Sequence, residues 1–413
     1  MKNIFLPEYA KTKRLLIVLF VFMMIMAALS CKQSSIFFNI STEVAPNDPK
    51  IPGAPSKIVT ANLSGDHGLE GNGKLYLARS VIWSYDGDTW EKMINQPTVN
   101  GDIVDVAATS NELFTLAIDE SENEIGISSE LWKTADGTSW GTAAISNTTG
   151  YVTHSIYAVD GELFAAGVIR DPFGGEDYAL LWYDETNNKL VSLKDGMGGT
   201  GRLTGAVHAG GFYYLATSGG IYVLTSPAED ALQSAVPLPT STGKGHISGI
   251  IADQAQANLL AVTTLKENPG RILTAPVTAA PTFTEKNNYI DVRFNGALNI
   301  AETTPGVYVL MVGYESEVDI YNFGYREIVL DGGAFPNTIN ALDIPGSISG
   351  STVAFNPKSE AVYESSLGRE IISSVIQTPV DIDPDQTLFA STYTKGLWSY
   401  RNNNGVWEWN AEE

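Results

Sequence analysis

A hairpin unit recurs along this chain, and it is clearest at Leu131-Trp132-Lys133-Thr134-Ala135-Asp136-Gly137-Thr138-Ser139-Trp140. An earlier copy reads Ile82-Trp83-Ser84-Tyr85-Asp86-Gly87-Asp88-Thr89-Trp90, and a late one reads Leu397-Trp398-Ser399-Tyr400 ahead of Asn404-Gly405-Val406-Trp407. Each joins a strand bearing an aromatic to a second bearing Trp, across Asp-Gly or Asn-Gly. Those pairs suit two-residue hairpin loops, where both central residues take positive φ. Recurrence with the same flanking aromatics marks a repeat architecture.

Apolar strands that read as the second of each unit begin at Leu75, Leu113, Leu163, Phe212, Leu259, Val307, Ala361 and Leu388. Their spacings are 38, 50, 49, 47, 48, 54 and 27 residues, and repeats of about 40–50 residues holding several short strands are propeller blades. An aromatic third strand follows several of them, at Leu181-Trp182-Tyr183, Gly220-Ile221-Tyr222-Val223 and Ile320-Tyr321. Many strands are continuously apolar, as burial on both faces demands. The pattern predicts an all-β, seven-bladed β-propeller of four-stranded antiparallel blades, over residues 57–413. Eight blades is the alternative, because the last spacing is short; residues 351–378 would then form a three-stranded blade.

Residues 1–30 read as an export signal: a basic stretch ending Lys13-Arg14, fifteen apolar residues from Leu15 to Leu29, then Ser30. Fifteen residues fall short of the roughly 20 that cross a bilayer as a helix. Cys31 is the single cysteine of the chain. Ala28-Leu29-Ser30-Cys31 resembles the lipobox of bacterial lipoproteins, which implies Cys31 as the lipidation site, an envelope location, and membrane contact through the anchor alone. Lys32 in the next position favours, by the same resemblance, the outer membrane of a two-membrane cell; simple secretion is the alternative. Residues 31–56 carry Pro46, Pro49, Pro52 and Pro55 and read as a flexible tether.

The late segment Val380-Asp381-Ile382-Asp383-Pro384-Asp385-Gln386-Thr387-Leu388-Phe389-Ala390, followed by Gly396-Leu397-Trp398-Ser399, is similar to the repeat of Asp-box (BNR-type) β-propellers, as in sialidases and sorting-receptor ectodomains. Val353-Ala354-Phe355-Asn356-Pro357 with Ala361-Val362-Tyr363 repeats its first half. The turns Ser84-Tyr85-Asp86-Gly87 and Thr134-Ala135-Asp136-Gly137 resemble the box itself, with one residue fewer between Asp and Gly. The expected roles are structural. Ser84, Asp86, Gly87 and Trp90, with Asp136, Gly137 and Trp140, form turns in which the carboxylate accepts backbone amides and the Trp packs on a neighbouring blade.

Chemistry is sparse. The sialidase resemblance implies an arginine cluster, yet Arg79, Arg170, Arg202, Arg271, Arg293, Arg326, Arg369 and Arg401 show no grouping in sequence. His67, His154, His208 and His246 lack metal-ligand spacing, Asp381-Ile382-Asp383-Pro384-Asp385 reads as a solvated turn, and Gly196-Met197-Gly198-Gly199-Thr200-Gly201 reads as a mobile linker without a phosphate-loop lysine. No cofactor, metal or catalytic residue is expected. The net charge of −22 disfavours a nucleic-acid partner. The reading that remains is a monomeric, non-catalytic envelope lipoprotein that binds or assembles a protein or glycan partner. A carbohydrate-active hydrolase of sialidase-like fold is the alternative. Binding loops are expected at Asp119 to Glu130, Arg170 to Tyr178 and Lys194 to Arg202, with Asp171, Phe173, Gly196 and Arg202 as candidate contacts.

Overall fold

Seven antiparallel sheets, each a meander of consecutive strands, form the blades of a β-propeller. The computed structural model describes residues 50–412, apart from 65–72, 110, 120–127, 144–150, 171–175, 199–200, 228–234, 237, 239–245, 265–269, 290–291, 317–322, 337–370 and 404–405. Blade one holds Val59–Ala61, Lys74–Arg79, Val81–Tyr85 and Trp90–Lys92; blade two holds Asp102–Ala108, Leu113–Asp119, Ser128–Thr134 and Gly141–Ala143. Blade three is Val152–Val159, Glu162–Arg170, Glu176–Asp184 and Lys189–Lys194; blade four is Leu203–Ala209, Phe212–Thr217 and Gly220–Leu224, with Val236 bridging Ile221 on its outer side. Blade five is His246–Ala252, Asn258–Thr264, Gly270–Pro276 and Thr284–Tyr289; blade six is Val292–Thr304, Val307–Ser316 and Phe323–Val329; blade seven is Ile372–Gln377, Leu388–Thr392, Leu397–Asn403 and Val406–Ala411. Blades four and six show three strands among the described residues, rather than four. The start at Ala361 lies outside those residues, and the third strand of blade six is Phe323–Val329, beyond Ile320-Tyr321.

Alternation explains the continuous apolar strands. In Lys74–Arg79, Leu75 and Leu77 pack toward blade seven, while Tyr76 and Ala78 pack toward blade two. In blade three, Leu163 and Ala165 face blade two, and Phe164 and Ala166 face blade four. In blade five, Leu259 and Ala261 face blade four, and Leu260 and Val262 face blade six. Side chains on a strand point alternately to its two faces, so a strand covered on both sides must be apolar at every position. The core is therefore divided into seven clusters, one at each junction between neighbouring blades.

The first strand of each blade lies innermost, against its counterparts in the next blades, and it carries a feature absent from the strand count. A β-bulge interrupts the pairing of first and second strands in blades two to seven, at Val104, His154, Thr204, Ser248, 295–297 and Ser373. A bulge leaves a residue unpaired and sharpens the twist. Three bulged residues satisfy the disturbed ladder themselves. Thr204 Oγ1 donates to the Ala216 carbonyl at 3.2 Å, and Ser248 and Ser373 donate to Val262 and Ser391, each at 3.3 Å.

The residue after the bulge then meets the next blade. Asp105 Oδ2 accepts the Ile156 amide at 3.0 Å, and Ser374 Oγ accepts the Ile58 amide at 3.2 Å. In blades four and five that position is glycine and the backbones close up instead: a Cβ on Gly249 would stand 2.9 Å from Gly296 Cα and 3.0 Å from its carbonyl oxygen.

Ring closure needs no shared strand, since blade one is N-terminal and blade seven C-terminal throughout. Tyr85 and Trp90 pack on Phe389, with ring centroids 4.8 and 5.4 Å away, an arrangement that favours edge-to-face contact. The stretch 50–56, read from its prolines as tether, belongs to this seam. Lys50 donates its amide to Glu412, Ile51 and Gly53 accept from Leu397 and Gly396 at 3.2 and 2.8 Å, and the Ile51 side chain is fully buried. Pro52 has no N–H to offer, but its carbonyl accepts from Arg79 Nε at 3.0 Å, so an extended proline-bearing segment docks without an unsatisfied donor.

Gly249→Ala should lower the urea midpoint by the equivalent of about 1–3 kcal/mol, because backbone must move to admit the methyl group. Gly141→Ala, whose added Cβ meets nothing within 4 Å, should leave the midpoint within about 0.5 kcal/mol of the parent or raise it.

Candidate functional site

Consecutive meanders sort the connections between two faces of the ring. Links from second to third strand, and from each blade to the next, leave one face; links from first to second and third to fourth leave the other. The first set includes 120–127, 171–175, 195–202, 265–269 and 317–322, whereas the second includes the two-residue turns 160–161, 210–211 and 305–306. Its longest members are 62–73 and 378–387. The three candidate binding loops thus share one face, although they come from different blades. The strands reach further than their sequence suggested, trimming Asp119 to Glu130 to 120–127, and Arg170 to Tyr178 to 171–175. Asp171 and Phe173 lie outside the described residues, as do Cys31 and His67. Arg202 is exposed at the entry to blade four. Gly196 opens a segment tied to blade three rather than a loose linker: the Met197 amide donates to the Tyr178 carbonyl at 3.0 Å, and the Gly198 amide to Asp177 Oδ1 at 2.8 Å.

The aspartate turns occupy the opposite face. Asp136 Oδ1 accepts the amides of Thr138 and Ser139 at 2.8 and 2.7 Å, plus the Thr134 hydroxyl at 3.0 Å. Those donors, Ser139 first, hold its carboxyl far below the usual carboxylate range. Asp86 is bound more weakly, accepting the Asp88 amide at 3.3 Å. Ser84 sits mid-strand opposite Tyr76 and Glu91. Gly87 and Gly137 both take positive φ, and a Cβ on Gly87 would fall 2.3 Å from the Ile382 carbonyl oxygen, so the turn presses directly on blade seven. Trp90 is buried against that blade, and Trp140 Nε1 donates to the Asn95 carbonyl at 3.0 Å. Asp383 is buried rather than solvated: it accepts the Asp385 amide at 2.9 Å and the Tyr85 hydroxyl at 3.3 Å, joining blade seven to blade one.

The histidines do not converge. His208 Nδ1 stands 3.0 Å from Asp160 Oδ2, His246 Nδ1 lies 3.1 Å from the Ser218 carbonyl, and His154 meets the Tyr178 ring edge-on at 5.4 Å. Among the described residues no group of three or more His, Cys, Asp or Glu is placed to hold a metal ion, and no helix is long and apolar enough to cross a membrane. Three described arginines are engaged locally: Arg79 on Pro52, Arg271 on Glu285 at 2.6 Å, and Arg401 on Glu412 at 3.1 Å.

Sequence reading missed the half-buried ion pair at the channel. Lys57 Nζ lies 2.5 Å from Asp105 Oδ1 and 4.6 Å above the Tyr157 ring. Asp105 also accepts its neighbour Val106's amide at 2.9 Å, besides that of Ile156. Burial lowers the Lys57 ammonium from its ordinary pKa, with Asp105 pulling the other way. Burial pushes the Tyr157 hydroxyl up, Asp105 adds to the rise, and the charge of Arg202 opposes it. The available signal was the bulge pattern, an apolar residue, then a Val, Thr or Ser, then Gly, Ser or Asp before another apolar residue. It is visible in Ile103-Val104-Asp105-Val106, Leu203-Thr204-Gly205-Ala206, Ile247-Ser248-Gly249-Ile250 and Ile372-Ser373-Ser374-Val375.

Asp105→Asn should cost about 1–3 kcal/mol in urea unfolding, because it leaves the half-buried ammonium without its counterion. Lys57→Met should cost less than about 1.5 kcal/mol, since Asp105 retains two amide donors. For Asp136 the folded pKa lies below the unfolded one. Its contribution is therefore complete above about pH 4 and disappears as pH falls through that range toward the folded value. The melting-temperature gap between the parent and Asp136→Asn should hold constant from pH 5 to 8 and narrow below about pH 4.

No family model matches the chain, and no curated protein matches it. Among solved structures, it is similar to the extracellular domain of a hybrid two-component system from B. thetaiotaomicron, at 13% identity and TM-score 0.49, over 85% of this chain and 39% of that one. The chain thus spans about two fifths of the length of that extracellular domain. It is similar to a periplasmic gluconolactonase of Pseudomonas aeruginosa at 10% identity and TM-score 0.46, over 87% and 97% of the two chains. Trypanosoma rangeli sialidase is matched at 11% identity and TM-score 0.37, over 66% and 55%.

Proposed function

We propose that this chain is an exported propeller, held at the cell envelope by lipid on Cys31, that binds a protein or glycan partner through its loop-bearing face. The observation carrying this reading is that the strand ends flanking 120–127, 171–175 and 195–202 open on one face of the ring, with Gly196 and Arg202 described there and the candidate contacts Asp171 and Phe173 falling in sequence between Arg170 and Glu176. Rigid strands hold such loops in fixed relation, which lowers the ordering cost of binding. Exposed Arg202 and half-exposed Tyr393, at the second-to-third turn of blade seven, add the cationic and aromatic groups enriched at interfaces. The signal-like leader and Cys31 support export and anchoring.

Binding is favoured over glycoside hydrolysis by the lining of the channel cavity, to which no carboxyl group contributes among the described residues. Hydrolysis needs two carboxyl groups disposed about the scissile bond. Asp105 is committed to Lys57 and to the amides of Val106 and Ile156.

Mature protein used as bait in detergent-solubilised envelope should recover a stoichiometric partner. Arg202→Glu combined with Tyr393→Ala should weaken capture about tenfold or more, as for a central interface pair. Glu185→Lys, on the turn face, should leave it unchanged. Equal loss from both variants would count against a loop-face site. Cys31→Ser should move the protein from the membrane to the soluble fraction.

A further inference from the structure

We propose that the central channel is itself a binding site for a small carboxylate, held by Lys57. The channel contains a cavity of about 210 Å³, with Lys57, Tyr157, Gly205, Gly249, Asn299 and Ser374 in its wall. Drug-sized ligands occupy roughly 300–1,000 Å³, so this space takes a small molecule and excludes a peptide or glycan chain.

Lys57 is the one charged side chain lining that cavity among the described residues. Asp105 stands behind it, outside the wall, and two backbone amides share its charge. An ammonium carries three N–H donors; one goes to Asp105 Oδ1, leaving two for the space Lys57 borders. The wall thus presents a cation whose counterion faces away from the cavity. Tyr157 places a second donor nearby, with the Lys57 ammonium over its ring. Ser374 Oγ accepts the Ile58 amide, so its own hydrogen is available to the cavity.

The far wall offers no competing charge. Blades four to six contribute Gly205, Gly249 and Gly296 there, with neutral side chains such as Thr204 and Asn299 beside them. A cation with neutral donors and no second acid matches a carboxylate, which accepts several hydrogen bonds at once.

This inference is independent of any macromolecular partner, and calorimetry on the mature protein tests it without one. Succinate and glucuronate are titrated against their neutral counterparts, butane-1,4-diol and glucose. At least one carboxylate should bind saturably, about tenfold or more tighter than its counterpart, and Lys57→Met should remove that advantage. Tyr157→Phe, which keeps the ring beneath Lys57, should weaken the same carboxylate several-fold, and it decides the matter if the Lys57 variant does not fold. Binding of neither acid, equal binding of acid and neutral probe, or carboxylate binding untouched by both variants would overturn the assignment.

Discussion

The structure depends on burying both faces of every second strand. A single blade cannot meet that demand, because its two apolar faces would stand in water. Each blade therefore needs a neighbour on either side, and only a closed ring supplies two neighbours to all seven. The division of the core into one cluster per junction follows directly, with Phe164 and Ala166 turned one way and Leu163 and Ala165 the other. Closure is then a problem at one junction only. There the chain has no covalent or strand-sharing solution, and it uses the Tyr85, Trp90 and Phe389 rings, the backbone of 50–53, and the Tyr85–Asp383 hydrogen bond.

The inner ring obeys a different constraint. Seven first strands must converge on a narrow channel without colliding, and the repeated bulge sets how they meet. A one-residue insertion turns the following residue toward the next blade. Where that residue is Asp105 or Ser374, its side chain spans the gap to a neighbouring amide; where it is Gly205 or Gly249, the backbones come together. Side-chain size at one recurrent position therefore tunes the spacing between blades.

Much of this was legible in the sequence, for a stated reason. Burial on both faces writes itself as an unbroken apolar run, so starts such as Leu75, Leu163 and Leu259 stand out, and each does open or enter a second strand. First strands are half-wet and interrupted by a bulge, so neither period two nor a continuous run marks them. The same interruption hid Lys57 and Asp105. They are 48 residues apart, and a single Lys before Ile58 carries no sign that the ring folds it over Tyr157. The stretch 50–56 misled because proline composition reports stiffness, while docking was decided by carbonyls at Ile51, Pro52 and Gly53. The turn at Asp383 misled in the opposite way. Three acids in five residues look solvated, but one of them is needed inside, where two amides and a phenol wait for an acceptor.

The Lys57–Asp105 pair links the inner-strand bulge to the charge of the channel. Buried ion pairs add little net stability over apolar residues of like size, so stability alone is a poor account of this one. Asp105 could hold blade two to blade three through the Ile156 amide without any lysine. What Lys57 adds is a cation at the wall of a cavity otherwise built from glycine, alanine, aliphatic and neutral polar groups. The bulge at Val104 makes this possible, because it turns Asp105 away from the channel and toward its neighbour, leaving the ammonium in front. One local irregularity in an inner strand thus fixes the spacing of two blades and determines the sign of the charge that the channel presents.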